Sequence, residues 1–405
     1  MAQRRTHHFL WRIPLGLLLW MPVLFLALPI QLELPLLLLC SLLAWRIRGH
    51  GELILLIVSV FVTLGMAELA IRLLDAPDRA YFRPHERLLR SLHYQPGVQV
   101  EMLIPHGDLV AIDPLAPYSI TDRRRVHFQT DQLGMRNDAD YAGEQYVLVG
   151  DSFVVGNGND QAHTLTSTLR REHGLSTYAL AFPAPPSQYY VLADRFLQST
   201  NPDARLLLFL FEGNDFSLKE RSPNEIEASS WDMNRKLMLA GLGNPLRLSD
   251  LTFGASRRAW RMLWPVRGAV VDVLHTPAGH IGFLGHYVER AKESEQSLDI
   301  EQSPAIRERV ERAIACIFFI PTKYRVYAPL LDEPALPEPA PALRAIERYY
   351  QSLSVPVVDL TPSLRRRARV LFEEKRTVFW RDDTHWNAEG ITVAAGEVAR
   401  WLSKL

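Results

Sequence analysis

Long apolar stretches near the amino terminus constrain this chain more than any other feature. Leu10 to Ile30 is apolar apart from Arg12, which can snorkel from the end of a span, and roughly 20 such residues cross a bilayer core. Leu32 to Trp45 is shorter and carries Glu33 near its start, whereas Leu53 to Leu74 is full length. The expectation is a transmembrane anchor over residues 1–75, with helices at 10–30, 31–45 and 53–74. Arg4, Arg5 and Arg12 precede the first span and Arg46 and Arg48 follow the second, while the turn between holds Gln31 and Glu33 and no basic residue. The positive-inside rule then places the amino terminus and the Arg46 loop in the cytoplasm and the chain after Leu74 outside. The expected location is the inner (cytoplasmic) membrane, multi-pass, with the large domain on the periplasmic or extracellular side. A single crossing over residues 10–45 would reverse that orientation.

Beyond the anchor the chain reads as a water-soluble protein. Its 45 Lys and Arg match 45 Asp and Glu, so no overall field favours nucleic acid, and none is expected as a partner. Of the two cysteines, Cys40 lies in the apolar head and Cys316 in an apolar run, so they form no disulfide framework. His106, His127, His163, His280 and His286 lack carboxylate or cysteine neighbours at ligand spacing, and neither a metal nor a cofactor is expected.

Residues 76–141 are polar, contain proline and are weakly patterned, which predicts a connector with short strands and no assigned chemistry. Short apolar runs then follow at Tyr146 to Val149, Thr177 to Phe182, Arg205 to Phe211, Ala315 to Ile320 and Pro356 to Leu360, each bounded by turn residues as buried strands are. Helical patterns occupy Ser187 to Gln198, Pro304 to Ala313, Pro341 to Leu353 and Ala388 to Leu402. This alternation predicts an α/β domain over residues 142–405 with a parallel central sheet covered on both faces. About 217–303 the rhythm breaks, with no clear strand, and an insertion is expected there. The runs Arg123 to Arg125 and Arg365 to Arg367 read as solvated faces.

Open parallel sheets place their sites at the carboxyl ends of the strands. There the sequence has Gly150-Asp151-Ser152-Phe153, Phe182-Pro183-Ala184-Pro185 and Glu212-Gly213-Asn214-Asp215, and before the last helix Asp382-Asp383-Thr384-His385-Trp386-Asn387. A serine hydroxyl needs a base to take its proton, a carboxylate to hold that base, and donors for the oxyanion. Ser152 fits the nucleophile, His385 the base and Asp382 the carboxylate, three residues before the histidine. Asp383 is expected to hydrogen-bond the loop, and Asp151 and Asp215 to orient theirs.

Gly150-Asp151-Ser152, Gly213-Asn214-Asp215 and Asp382-x-x-His385, in this order, resemble the first, third and fifth blocks of the SGNH (GDSL-type) hydrolase superfamily. Phe153 stands where the eponymous leucine would. The Asp-Thr-His-Trp-Asn run and Pro321 to Tyr327 also resemble the membrane-anchored branch of alginate O-acetyltransferase-like proteins. The resemblance implies an SGNH/flavodoxin-like three-layer sandwich. It further implies an oxyanion hole of Ser152 N–H, Ala184 N–H and the Asn214 amide, with Ala184, or else Ala181, where the family has glycine. The implied activity is an esterase or O-acetyltransferase working on acyl esters of a glycan, with a membrane acyl-donor partner for the transferase. The alternative is an inactive polysaccharide-binding or export-complex scaffold.

Overall fold

The computed structural model describes residues 93–94, 96–104, 106–109, 120–216, 271–276, 279–331 and 333–405. The three expected membrane spans lie outside them; among the described residues no helix is long and apolar enough to cross a membrane. Five strands form one parallel sheet: β3 (Tyr146–Gly150), β4 (Tyr178–Ala181), β5 (Arg205–Phe211), β8 (Ile314–Ile320) and β9 (Val357–Asp359). Their spatial order is β4-β3-β5-β8-β9, with every pairing parallel. Strands such as Leu-Leu-Leu-Phe-Leu-Phe in β5 and Ile-Ala-Cys-Ile-Phe-Phe-Ile in β8 are buried throughout, which accounts for continuous apolar runs in place of alternation.

The chain first steps from β3 to β4 at one edge, then back across to β5, β8 and β9. Right-handed crossovers put helices made on the outward and return steps on opposite faces. Two helix packings result: α2 (Leu165–His173) against α9 (Ala388–Leu402), and α3 (Pro186–Ser199) against α5 (Pro304–Ala313). Among the described residues the remaining α-helices are α1 (Ser152–Val155), α4 (Gly285–Lys292), α6 (Lys323–Tyr327), α7 (Pro341–Tyr350) and α8 (Thr361–Glu373). Local sequence sets their ends. Proline opens α3, α5 and α7, where a missing N–H goes unnoticed, and Gly174 closes α2 at φ 66°. The Asn387 side chain caps α9 by accepting from the Glu389 and Gly390 N–H groups.

Two hairpins join this body. β1 (Gln99–Ile104) pairs with β2 (Arg124–Gln129), and β6 (Val271–Thr276) with β7 (Gly279–Leu284). The first lies in the expected connector, yet Val100, Ile104, Val126 and Phe128 belong to the same buried cluster as Leu148 and Phe209 of the central sheet. The second lies in the expected insertion. Ile281 and Phe283 are buried in that cluster too, so residues 271–303 contribute to the core, and the absence of strands expected there is corrected. Sequence periodicity missed α2 and α8, whose arginine runs and buried polar threonines blur the apolar stripe. The Arg365 to Arg367 run lies on α8, where Arg365 donates to the Arg325 carbonyl and Arg367 pairs with Glu389.

Candidate active site

The winding reverses between β3 and β5, and in open sheets of this kind sites lie there, at the carboxyl ends of the strands. Ser152 comes two residues after the end of β3, Ala184 lies in the loop after β4, and Asn214 is the exposed residue of an otherwise buried turn after β5. Strand order therefore sets the Ala184 and Asn214 loops on either side of Ser152. Ala181 ends β4 in register with Gly150 and is buried, three residues before Ala184. Ser152 opens the single turn α1, whose first N–H groups are steadied by Asp151: its Oδ1 accepts from the Phe153 N–H at 2.8 Å. Gly156 ends the turn at φ 77°, a left-handed conformation that glycine adopts without strain. Arg136, 2% exposed, fastens the end of α1 and the loop beyond it by donating to the carbonyls of Val155, Gly156 and Asn159.

His385 comes to Ser152 from a loop 233 residues away in sequence. Its Nε2 lies 2.7 Å from Ser152 Oγ and its Nδ1 2.6 Å from Asp383 Oδ1. An ionised carboxylate can only accept, so Nδ1 carries the proton and Nε2 is left to accept from the serine hydroxyl. The His385 backbone N–H also donates to Asp383 Oδ1, at 3.1 Å. This is an Asx turn, in which an aspartate caps the N–H two residues on. It explains why Asp383 holds the imidazole and Asp382 does not: an aspartate two residues before the histidine reaches the backbone and ring of His385 with one oxygen.

The expected pairing of Asp382 with His385 is thus corrected. Asp382 is fully buried on the other side of the loop. Its Oδ2 accepts from the Gly107 and Asp122 N–H groups at 2.7 and 2.9 Å, and its Oδ1 from Arg124 Nη1 at 3.1 Å. Arg124 spans both carboxylates, with Nη2 2.7 Å from Asp383 Oδ2, and its guanidinium lies 4.3 Å from the Trp380 ring centroid. Far from forming a solvated face, Arg124 is 7% exposed. The connector, expected to carry no chemistry, supplies Gly107 to Leu109, Asp122 and Arg124 to this loop. Gly107 meets it so closely that a Cβ there would lie 2.3 Å from the Asp382 carbonyl oxygen.

Lys323 completes the loop's support. Its buried ammonium donates to the carbonyls of Trp380, Arg381 and Asp383 at 2.7, 3.0 and 3.1 Å, using all three of its hydrogens. One residue earlier, the Thr322 N–H and hydroxyl donate to Glu212 Oε2, and Arg325 Nε to Glu212 Oε1 at 2.6 Å. Glu212 stands two residues before Asn214, so the segment Thr322 to Arg325 grips the Asn214 turn and the histidine loop together. Asp215 anchors the same turn through the Phe211 N–H and the Tyr189 hydroxyl.

The electrostatics arise from these contacts. Burial alone would raise Asp383, but the His385 imidazole and the Arg124 guanidinium hold its carboxyl well below the usual range. Burial likewise opposes a charge on His385, yet Asp383, with Asp108 and Asp151 nearby, lifts it to about 9. Burial, assisted by Asp383, raises Asp108 to about 7, and burial lowers Lys323 to about 7. Asp108, Asp383 and His385 present ligand atoms within 4.8 Å of one another. With Nδ1 on Asp383 and Nε2 on Ser152, a cation held there would have to displace one of those contacts.

Sequence reasoning missed Asp108, Arg124, Lys323 and the role of Asp383. The Asp-x-His spacing was a readable sign of the Asx turn, and Lys323 lies in the Pro321 to Tyr327 segment singled out by resemblance. Nothing local marks Asp108. A family model described as SGNH hydrolase-like domain, acetyltransferase AlgX, matches residues 309–405. Comparison with curated proteins returned no match. One crystal structure aligns over 64% of this chain and 96% of its own at 15% identity and a TM-score of 0.29, a likeness that carries no argument. Residues 309–405, which hold Lys323, Asp383 and His385, are thus similar to the SGNH hydrolase-like domain of acetyltransferase AlgX.

Proposed function

We propose that this chain is a membrane-anchored, extracytoplasmic serine esterase or O-acetyltransferase acting on acyl esters of a glycan. The observation that carries this reading is the unbroken chain from Ser152 Oγ through His385 to Asp383. Ser152 Oγ attacks the ester carbonyl carbon while its proton passes to His385 Nε2. The resulting oxyanion faces the Ser152 N–H, with donors from the Ala184 and Asn214 loops on either side. Collapse expels the alcohol, which takes the proton back from Nε2 and leaves an acyl-Ser152 ester. An acceptor hydroxyl then gives its proton to Nε2 and attacks the acyl carbon; the bond to Ser152 Oγ breaks and Oγ takes that proton back from Nε2. Asp383 holds the Nδ1 proton throughout and stabilises the imidazolium. Water as acceptor makes the protein an esterase, and a sugar hydroxyl makes it a transferase; the acetyltransferase family matched by residues 309–405 supports the latter.

The test is fluorophosphonate labelling of the full-length protein, followed by mass spectrometry of the modified peptide. Labelling at Ser152 that disappears in His385→Ala supports an activated nucleophile. Folded protein that takes no label, or hydrolyses p-nitrophenyl acetate equally well as Ser152→Ala, excludes it. Adding oligosaccharide to the acetate assay separates transfer to sugar from release to water.

A further inference from the structure

A second carboxylate faces the imidazole. Asp108 Oδ2 lies 3.6 Å from His385 Nδ1, the same ring nitrogen that Asp383 Oδ1 meets at 2.6 Å. It is held there firmly: Oδ1 accepts from the Thr384 N–H at 2.8 Å and Oδ2 from the Thr384 hydroxyl, while the Asp108 N–H donates to Asp383 Oδ2 at 3.3 Å. Gly107, immediately before it, is pinned by Asp382. The connector thus delivers one carboxylate to a defined place beside a ring that lies 277 positions further along the chain.

The charges around His385 show what that carboxylate does. Arg124 divides its guanidinium between Asp382 and Asp383, and the Lys323 ammonium sits on the loop carbonyls beside them. Asp122 is paired with Arg381. Arg124 thus offsets Asp382 and Asp383, and Asp108, among the described residues, lies beside the ring without a Lys or Arg ion pair, although the Lys323 ammonium also feels its charge. Asp151, beneath the nucleophile, and the Tyr287 phenol are the other titratable groups that sense this cluster.

We infer that Asp108 is a positioning residue that acts through His385, supplying the negative charge that balances the imidazolium formed when Ser152 gives up its proton. Asp383 orients the ring by its short hydrogen bond, and Asp108 contributes by proximity of charge. An opposite charge at such a distance favours the protonated ring. The docked connector is therefore part of the catalytic apparatus. This inference rests on His385 serving as the base at Ser152, but its test reads the ring itself, so the two can fail separately. If the Ser152 reading fails, labelling is absent whatever the ring does.

The experiment is a histidine NMR titration of the full-length protein in detergent, with the His385 signal identified by its loss in His385→Ala. In Asp108→Asn the His385 midpoint should fall by about one pH unit relative to wild type. Asp108→Ala should give the same downward shift, which guards against a folding defect peculiar to the amide, and Asp108→Glu should restore a midpoint near the wild-type value. A midpoint that stays at the wild-type value in both Asp108→Asn and Asp108→Ala overturns the inference. So does an equal fall in Asp108→Glu, which would mean that packing and not charge is what the ring feels.

Discussion

The two halves of the Ser152–His385–Asp383 chain are held in different ways. Ser152 stands at the end of a central strand whose position is set by backbone hydrogen bonds to β4 and β5, and the Asn214 turn follows β5 directly. The residues 380–385 form a loop closed at its base by the bridge between Phe379 and Trp386 and by the Trp380 N–H donating to the His385 carbonyl. Further contacts that fix this loop arrive on side chains or backbone from elsewhere: Lys323, Arg124, Gly107, Asp108, Leu109, Asp122 and Gly282. A strand end inherits its geometry from the sheet. A loop must be clamped, and here most of the clamps come from a part of the chain that precedes the sheet.

That contrast can be broken or sharpened by substitution. The largest effect should separate the two neighbouring aspartates. Asp383→Asn removes the acceptor that fixes the ring tautomer and should slow ester hydrolysis about 10⁴-fold, and because Asp383 also pairs with Arg124 it should lower Tm as well. Asp382→Asn likewise leaves Arg124 short of a buried partner, at a cost of about 3–5 kcal/mol read as a lowered Tm, but with a much smaller loss of rate. If the two variants exchanged these phenotypes, the assignment of Asp383 to the ring would fall.

A middle-sized effect is expected at Gly107. Gly107→Ala forces a methyl group against the Asp382 carbonyl and should cost about 1–3 kcal/mol in thermal unfolding, with reduced Ser152 labelling because the connector no longer seats. Unaltered labelling and Tm would show that the loop keeps its shape without the connector.

The smallest effect is a pH dependence. His385 is raised from its ordinary 6.5 to about 9 in the folded protein, so its contribution to stability is fully present below about pH 6.5 and is lost as pH rises towards 9. Asp383 works the other way. Its carboxyl is depressed, so its contribution is present above about pH 4 and is lost on acidification. The labelling rate should climb between pH 7 and about 9 as the ring loses its proton. Melting curves across this range, compared with His385→Ala, check the stability part: the variant should show a flatter alkaline limb.

Part of this architecture is legible in the residues themselves. The apolar runs from Tyr146 and Arg205 lie where β3 and β5 do, because a strand buried on both faces must be apolar throughout. The polar residues just past them are conspicuous by contrast, which is how Ser152 and Asn214 stand out. By comparison, Asp382 and Asp383 are adjacent and chemically identical. Which of them faces His385 depends on the turn, and the three-residue spacing misled. Arg124 and Arg365 to Arg367 look alike as basic runs; only packing buries the first and leaves the others nearer the surface.

Local sequence determined the strands, the helix caps and the residue types able to attack an ester, since these depend on near neighbours and on apolar pattern. The tertiary structure alone decided that Asp383 and not Asp382 meets the imidazole, that Lys323 and Arg124 hold the loop, and that Asp108 lies beside the ring. The reason is physical. Lys323, Arg124 and Asp108 come from segments tens to hundreds of residues away, and such contacts leave no periodicity for a local reading to find.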